Sequence, residues 1–127
     1  MTSADVTWNR ACAQGACGPS RRGDVALSAM LLFHSLAMNG GVCHAVECLT
    51  PSERDAALRG YAFFGFGSVG SIIEAALRQP ADDDEAGARE ARLDAEYAAT
   101  VSNGDSMLLS RFREHFAAHP EDYALLA

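Results

Sequence analysis

The chain predicts an all-α fold, a compact single-domain bundle of about six to seven helices. Three observations carry that prediction. Val42, Ala45, Val46 and Leu49 fall at i, i+3, i+4 and i+7, the stripe that one face of a helix presents. Helix start and stop residues punctuate the chain, most clearly Thr50-Pro51-Ser52-Glu53 and Asn39-Gly40-Gly41. A length of 127 residues suits one domain that buries roughly two-thirds of its unfolded surface without disulfide or metal staples.

Residues 1–23 form an N-terminal helix and connector, and 24–127 the helical core. Val6, Trp8 and Ala11 carry the first helix, and Gly18, Pro19 and Gly23 break the chain after it. Asp24 is the expected N-cap of the next helix. From Val25 to Met38 apolar residues occupy almost every face, so this helix is expected to be buried all round, at the centre of the bundle. Asn39-Gly40-Gly41 ends it, with glycine taking the left-handed C′ position. Asn-Gly is also a hairpin signal, but few β-branched residues flank it.

Thr50, Pro51 and Glu53 spell a capping box with proline at the first helical position, opening a helix to about Phe64. Another follows over Ser68–Gln79, stopping before Pro80. Residues 81–87 are expected to be an acidic loop, with a helix resuming near Arg89 and burying Leu93, Tyr97 and Val101. Ser102-Asn103-Gly104 breaks that helix, and Asp105 or Ser106 caps the next, whose apolar face is Leu108, Leu109, Phe112 and Phe116. His119-Pro120 starts a short last turn.

Composition excludes several function classes. Net charge is −7 and all ten basic residues are arginine, so no basic patch for direct nucleic-acid binding is expected. The longest apolar stretch, 25–38, is too short for a bilayer, which needs about 20 residues. The N-terminus lacks a signal-peptide pattern. A cytoplasmic protein with reduced cysteines is expected.

Gly65, Gly67 and Gly70 spell G-x-G-x-x-G, but the dinucleotide fingerprint needs an upstream strand and a carboxylate about 20 residues on at the end of a second strand. Tyr61–Phe64 continue a helix, and the position 20 residues on falls in the acidic segment. The glycines are therefore predicted to form a helix–helix corner, with positive φ at Gly65 or Gly67, and no cofactor is expected.

Cys12/Cys17 and Cys43/Cys48 have loose zinc-ligand spacing. Residues five apart on a helix point about 140° away from each other, so the better pairs are Cys43 with Glu47 and His44 with Cys48. A metal site there needs a further ligand from Cys12, Cys17 or His34; otherwise the cysteines are small buried hydrophobes. A Cys–His couple of Cys43 or Cys48 with His34 is the one candidate for covalent catalysis. No P-loop, G-x-S-x-G, H-E-x-x-H or EF-hand run is present, and no enzyme activity is expected.

Between 81 and 96 lie Asp82, Asp83, Asp84, Glu85, Glu90, Asp94 and Glu96 against Arg89 and Arg92. That is most of the net negative charge. A solvated helix face is the ordinary role of such a segment; a surface attracting a basic partner is the functional one.

The order of these signals resembles a known family. The run Phe33-His34-Ser35-Leu36-Ala37-Met38-Asn39-Gly40-Gly41, then Gly60–Gly67, Ile72–Leu77, Asp94-Ala95-Glu96-Tyr97, Phe112 and Phe116 is similar to the bacterial DNA-mimic-protein-like domain. The likeness covers about residues 24–123, and Asn39-Gly40-Gly41 is its most specific element. The resemblance implies an all-α fold, a homodimer, and a protein partner that is basic or DNA-binding, met through Asp82, Asp83, Asp84, Glu85 and Glu90. The alternative is a small metal- or thiol-dependent protein using Cys43, His44 and Cys48. Charge departs from mimicry: duplex DNA carries one negative charge per ≈ 1.7 Å of axis, and here the acids cluster in one segment.

Overall fold

The computed structural model describes residues 2–13, 20–102 and 104–125. Among them are seven α-helices and one 3₁₀ turn, with no strand: α1 Ser3–Cys12, α2 Arg22–Gly40, α3 Val42–Cys48, α4 Pro51–Phe63, α5 Val69–Leu77, α6 Asp83–Thr100 and α7 Asp105–Ala118, then Pro120–Asp122. The all-α bundle predicted from the sequence is what the chain forms. Cys17, Gly18, Pro19 and Asn103, named in the sequence argument, lie outside the described residues.

Helix α2 is the hub, packing against α1, α3, α4 and the C-terminal turn. Leu27, Met30 and Phe33 are wholly buried on its inner face. It is not buried all round, because Val25 and Met38 are 58% and 65% exposed; the bundle covers one side only. Helix α4 approaches it most closely at Gly60, where a Cβ would stand 2.5 Å from the Ala26 carbonyl oxygen. Glycine removes that obstacle and lets one backbone lie on the other.

The start of α2 differs from the prediction. The helix begins at Arg22, three residues earlier than expected, and Asp24 is its third residue rather than its N-cap. The Asp24 carboxylate accepts from the Arg21 backbone N–H at 2.9 Å and from the Ala124 N–H at 2.8 Å, and pairs with Arg10 at 3.2 Å. A buried carboxylate is tolerable because it is bonded this fully. It ties the C-terminal segment to the N-terminus of α2. The tie is doubled by Arg22, whose Nε and Nη2 donate to Asp122 Oδ1 and Oδ2 at 2.7 and 3.0 Å.

One residue, Gly41, joins α2 to α3. Its φ of 96° and ψ of 170° are not the left-handed helical values expected of a C′ glycine but an extended, positive-φ conformation that only glycine adopts readily. The chain turns straight into the next helix. Val42, Ala45, Val46 and Leu49 are all buried, as their spacing predicts. The capping box at Thr50 is present in full, with Thr50 Oγ1 accepting from Glu53 N–H at 3.1 Å and Glu53 Oε1 from Thr50 N–H at 2.9 Å.

At the corner, Gly65 has positive φ (86°) and Gly67 does not. The Phe64 carbonyl there receives Arg111, whose guanidinium also stands over the Phe66 ring at 5.2 Å. The expected loop at 81–87 is largely helical, since α6 starts at Asp83. Asp82 caps it by accepting from Glu85 N–H at 2.7 Å, and acids in a first turn suit the positive end of the helix dipole. Neither Asp105 nor Ser106 caps α7; Gly104, with φ 52°, holds the N-cap position.

His115 and Tyr123 close the far end, bonded at 2.8 Å. Burial, reinforced by His119, holds His115 below its ordinary 6.5, although Asp122 pulls the other way. Arg22 holds the Asp122 carboxyl below its ordinary 3.8.

Two predictions follow from this packing. Gly60→Ala, whose methyl meets backbone, is expected to destabilise by about 1–3 kcal/mol, whereas Gly67→Ala, with open space around it, leaves the denaturant midpoint almost unchanged. A lowered histidine pKa means the unfolded chain takes the proton first, so that stability is complete above about pH 6.5 and declines as pH falls through the folded value. The melting temperature should therefore fall below that pH, before the loss due to Asp122 begins. His115→Gln is expected to flatten this first decline and leave the more acidic one.

Candidate functional site

The interior holds one continuous polar chain across four helices. His34, on the inner half of α2, bonds Asp105 Oδ1 through Nε2 at 2.8 Å and the Tyr97 hydroxyl through Nδ1 at 2.6 Å. Tyr97, from α6, meets the hydroxyl of Tyr61, from α4, at 2.6 Å. Phe33 packs on both tyrosine rings, edge-on to Tyr61 with centroids 5.8 Å apart. A carboxylate only accepts, so the His34 Nε2–H donates to Asp105. In the neutral imidazole Nδ1 is then the acceptor for Tyr97 O–H, and Tyr61 O–H donates to Tyr97. Each hydrogen bond follows from the one before, and all point toward Asp105.

Burial pushes both tyrosines above their ordinary 10; for Tyr97 the Asp105 charge adds to this while the Tyr61 bond opposes it. The phenols thus remain donors at any pH the fold meets. Asp105 has a side chain 82% exposed, against 4% for His34, so the chain begins at the surface and ends in the core. At its surface end lies a groove of about 900 Å³ lined by Trp8, Cys12, Leu32, Ser35, Met38 and Asn39, among others. Both His34 nitrogens are already engaged. The chain of bonds ties α2, α4, α6 and α7 in register.

Asn39, Gly40 and Gly41 act in the joint between α2 and α3. Asp94 Oδ1 accepts from the Val42 backbone N–H at 2.8 Å, satisfying a donor at the start of α3 that has no partner within the helix. A Cβ on Gly41 would stand 3.0 Å from the same carboxylate, and one on Gly40 would meet the His44 ring at 2.5 Å. Asp94 and Tyr97, a turn apart on α6, therefore serve the joint and the polar chain respectively.

On α3, the Cys48 sulfur lies 3.6 Å from Nε2 and 3.7 Å from Nδ1 of His44, the pair that helical spacing predicts. Cys43 is half-buried; burial raises its thiol pKa, with Arg89 partly offsetting this. Cys12 is raised likewise. Glu47 is exposed beside them. No group of three histidine, cysteine or acidic side chains among the described residues converges to hold a metal ion. His34 bonds to Tyr97 and Asp105 and not to Cys43 or Cys48, the couple considered for covalent catalysis.

The acidic residues divide by task. Asp82 and Glu85 cap α6, with Glu85 also accepting from the Ala81 N–H at 2.7 Å. Asp83, Asp84 and Glu90 are exposed and make no hydrogen bond or ion pair among the described residues. No helix of the described residues is long and apolar enough to cross a membrane.

Sequence reasoning missed the polar chain. His34 stood out within an apolar stretch, but Tyr61 and Tyr97 carry the same signal as any core aromatic, and Asp105 that of a cap. No protein family, curated protein or solved structure matches the chain, so the likeness to the DNA-mimic domain rests on the residues quoted for it.

Removing the middle hydroxyl tests the network. Tyr97→Phe leaves both His34 Nδ1 and the Tyr61 hydroxyl without their partner and is expected to cost about 1–3 kcal/mol in urea unfolding. Tyr61→Phe removes only the last donor and is expected to cost about 1 kcal/mol.

Proposed function

We propose that this protein is a non-enzymatic interaction module that presents the N-terminal half of α6 to a basic protein. One observation carries this: residues 83–92 are helical and acidic, yet none of them is buried. A helix polar on every side contributes little to its own core. Asp83, Asp84 and Glu90 keep their charges unpaired there. Such a surface attracts positively charged partners and raises their association rate, more so at low salt.

The family resemblance supports a partner that is itself DNA-binding, and a homodimer as the working assembly. Charge density favours the broader class of basic protein. Asp83 to Glu96 spans roughly 20 Å of helix axis, over which a duplex displays about 12 charges. Most of the α6 acids other than Asp83, Asp84 and Glu90 are engaged in caps or, for Glu96, in a 3.9 Å pair with Arg92. The thiol- or metal-dependent alternative has the His44–Cys48 contact in its favour and no third ligand beside it.

Affinity capture with the full chain, at low and high salt and beside an Asp83→Lys/Asp84→Lys variant, tests the proposal. The substitutions spare the caps. The expected result is a stoichiometric basic protein retained at low salt, released at high salt and lost by the variant. Equal retention by the variant, or no partner at either salt, would sink the proposal.

A further inference from the structure

Beside the α3–α6 joint is a second groove, of about 710 Å³, and its polar lining departs from the acidic character of the rest of the molecule. Arg54 from α4, Arg78 just after α5, Arg89 from α6 and His44 from α3 all face it. Arg10 pairs with Asp24, Arg22 with Asp122, Arg113 with Asp5 and Arg92 with Glu96. Arg21, Arg89 and Arg111 donate to backbone carbonyls, and Arg59, away from the groove, has no partner among the described residues. Among the described residues, the guanidinium groups of Arg54 and Arg78 have neither a carboxylate nor a carbonyl partner, although the chain has 17 acidic residues to offer. Arg54 on α4 and Arg78 at the end of α5 thus bring two unpaired guanidiniums to one groove.

Arg89 adds a third guanidinium to the lining. Its Nη1 donates to the Arg78 backbone carbonyl, which anchors the side chain at the end of α5. Its Nε is buried and has no acceptor. That nitrogen is closed to a ligand in the groove, but Nη2 makes no hydrogen bond among the described residues, and guanidinium N–H groups are what grip a carboxylate or phosphate. Glu47 and Glu90 also line the groove without pairing to these arginines. Three guanidiniums against two carboxylates leave a small positive excess, enough for a compact anion and too little for a nucleic-acid backbone.

We infer that Arg54, Arg78 and Arg89, assisted by His44, form a binding site for a small oxyanion, the phosphate or carboxylate group of a metabolite-sized ligand. The two sources share one chemistry, oxygen atoms accepting from converging guanidinium N–H groups. They differ in shape, tetrahedral against planar. The groove shares Arg89 and Glu90 with the N-terminal half of α6, but Asp83 and Asp84 do not line it, so the variants that test the partner and those that test the anion site are different residues.

The test uses the full chain in thermal unfolding and isothermal titration, with sodium chloride exchanged for sodium phosphate or sodium succinate at constant ionic strength. A ligand that binds only the folded state raises the melting temperature along a saturating curve, whereas anions acting by exclusion from the surface do so without saturation. Saturable binding of phosphate alone assigns a phosphate ligand, and of succinate alone a carboxylate ligand. Arg54→Gln removes a side chain that holds nothing in the fold, and is expected to weaken binding at least tenfold with the melting temperature in chloride unchanged. Arg78→Gln, which keeps the backbone carbonyl that Arg89 uses, is expected to do the same. No saturable binding of either anion, or equal binding by wild type and both variants, overturns the assignment.

Discussion

Gly60 lets α4 lie against the backbone of α2, and much of the rest of the bundle depends on that crossing. With the two helices this close, Tyr61, the next residue, is completely buried and its hydroxyl meets that of Tyr97. Tyr97 in turn bonds His34 on α2 itself. A wider crossing would withdraw Tyr61 and leave buried hydroxyls facing apolar carbon, where each would cost free energy. Close packing and polar pairing are thus one constraint. The backbone approach positions the hydroxyls, and the hydroxyls penalise any other approach.

Around that crossing, short joints replace loops. Gly41 alone turns α2 into α3, and the corner at Gly65 carries α4 into α5 with Arg111 on the Phe64 carbonyl. The C-terminal segment returns to the start of α2, where Asp24 and Arg22 hold it. Tyr123 packs edge-on to Phe112 with ring centroids 5.5 Å apart, so the last described turn belongs to the core. Gly23 makes room for it, since a Cβ there would meet the Tyr123 ring at 2.6 Å. At Gly41 and Gly65 the missing side chain leaves space that a charged group, Asp94 or Arg111, fills, and at Gly23 the Tyr123 ring fills it.

Charge is distributed by the same logic. Acids that serve a backbone, such as Asp24, Asp82, Glu85 and Asp94, are committed to it. Among the charges left without a partner in the described residues are Asp83, Asp84 and Glu90 on α6 and Arg54 and Arg78 on the groove. A protein of net charge −7 therefore offers two chemically opposite surfaces. The acidic one suits a macromolecular partner approaching through solvent, and the basic one, recessed among four helices, suits a small anion.

Much of the helical layout was legible in the sequence because its signals are local. Thr50, Pro51 and Glu53 act within one turn, and Val42, Ala45, Val46 and Leu49 specify a face by spacing alone. Gly65, Gly67 and Gly70 showed by their context that they are a corner and not a cofactor loop. Local signals failed where two partners compete for one residue. Asp24 looks like an N-cap, but a distant N–H at Ala124 and a guanidinium at Arg10 recruit it into the first turn. Asp82 to Glu85 look like a loop, but the end of a helix neutralises their repulsion. The chain by itself determined the all-α class, most of the helices and their apolar faces, since those depend on 3.6-residue periodicity. Only the tertiary structure decided that Asp105, His34, Tyr97 and Tyr61 form a chain and that Arg54, Arg78 and Arg89 share a groove. Those groups are brought together by helix crossings, and a crossing leaves no period in the sequence.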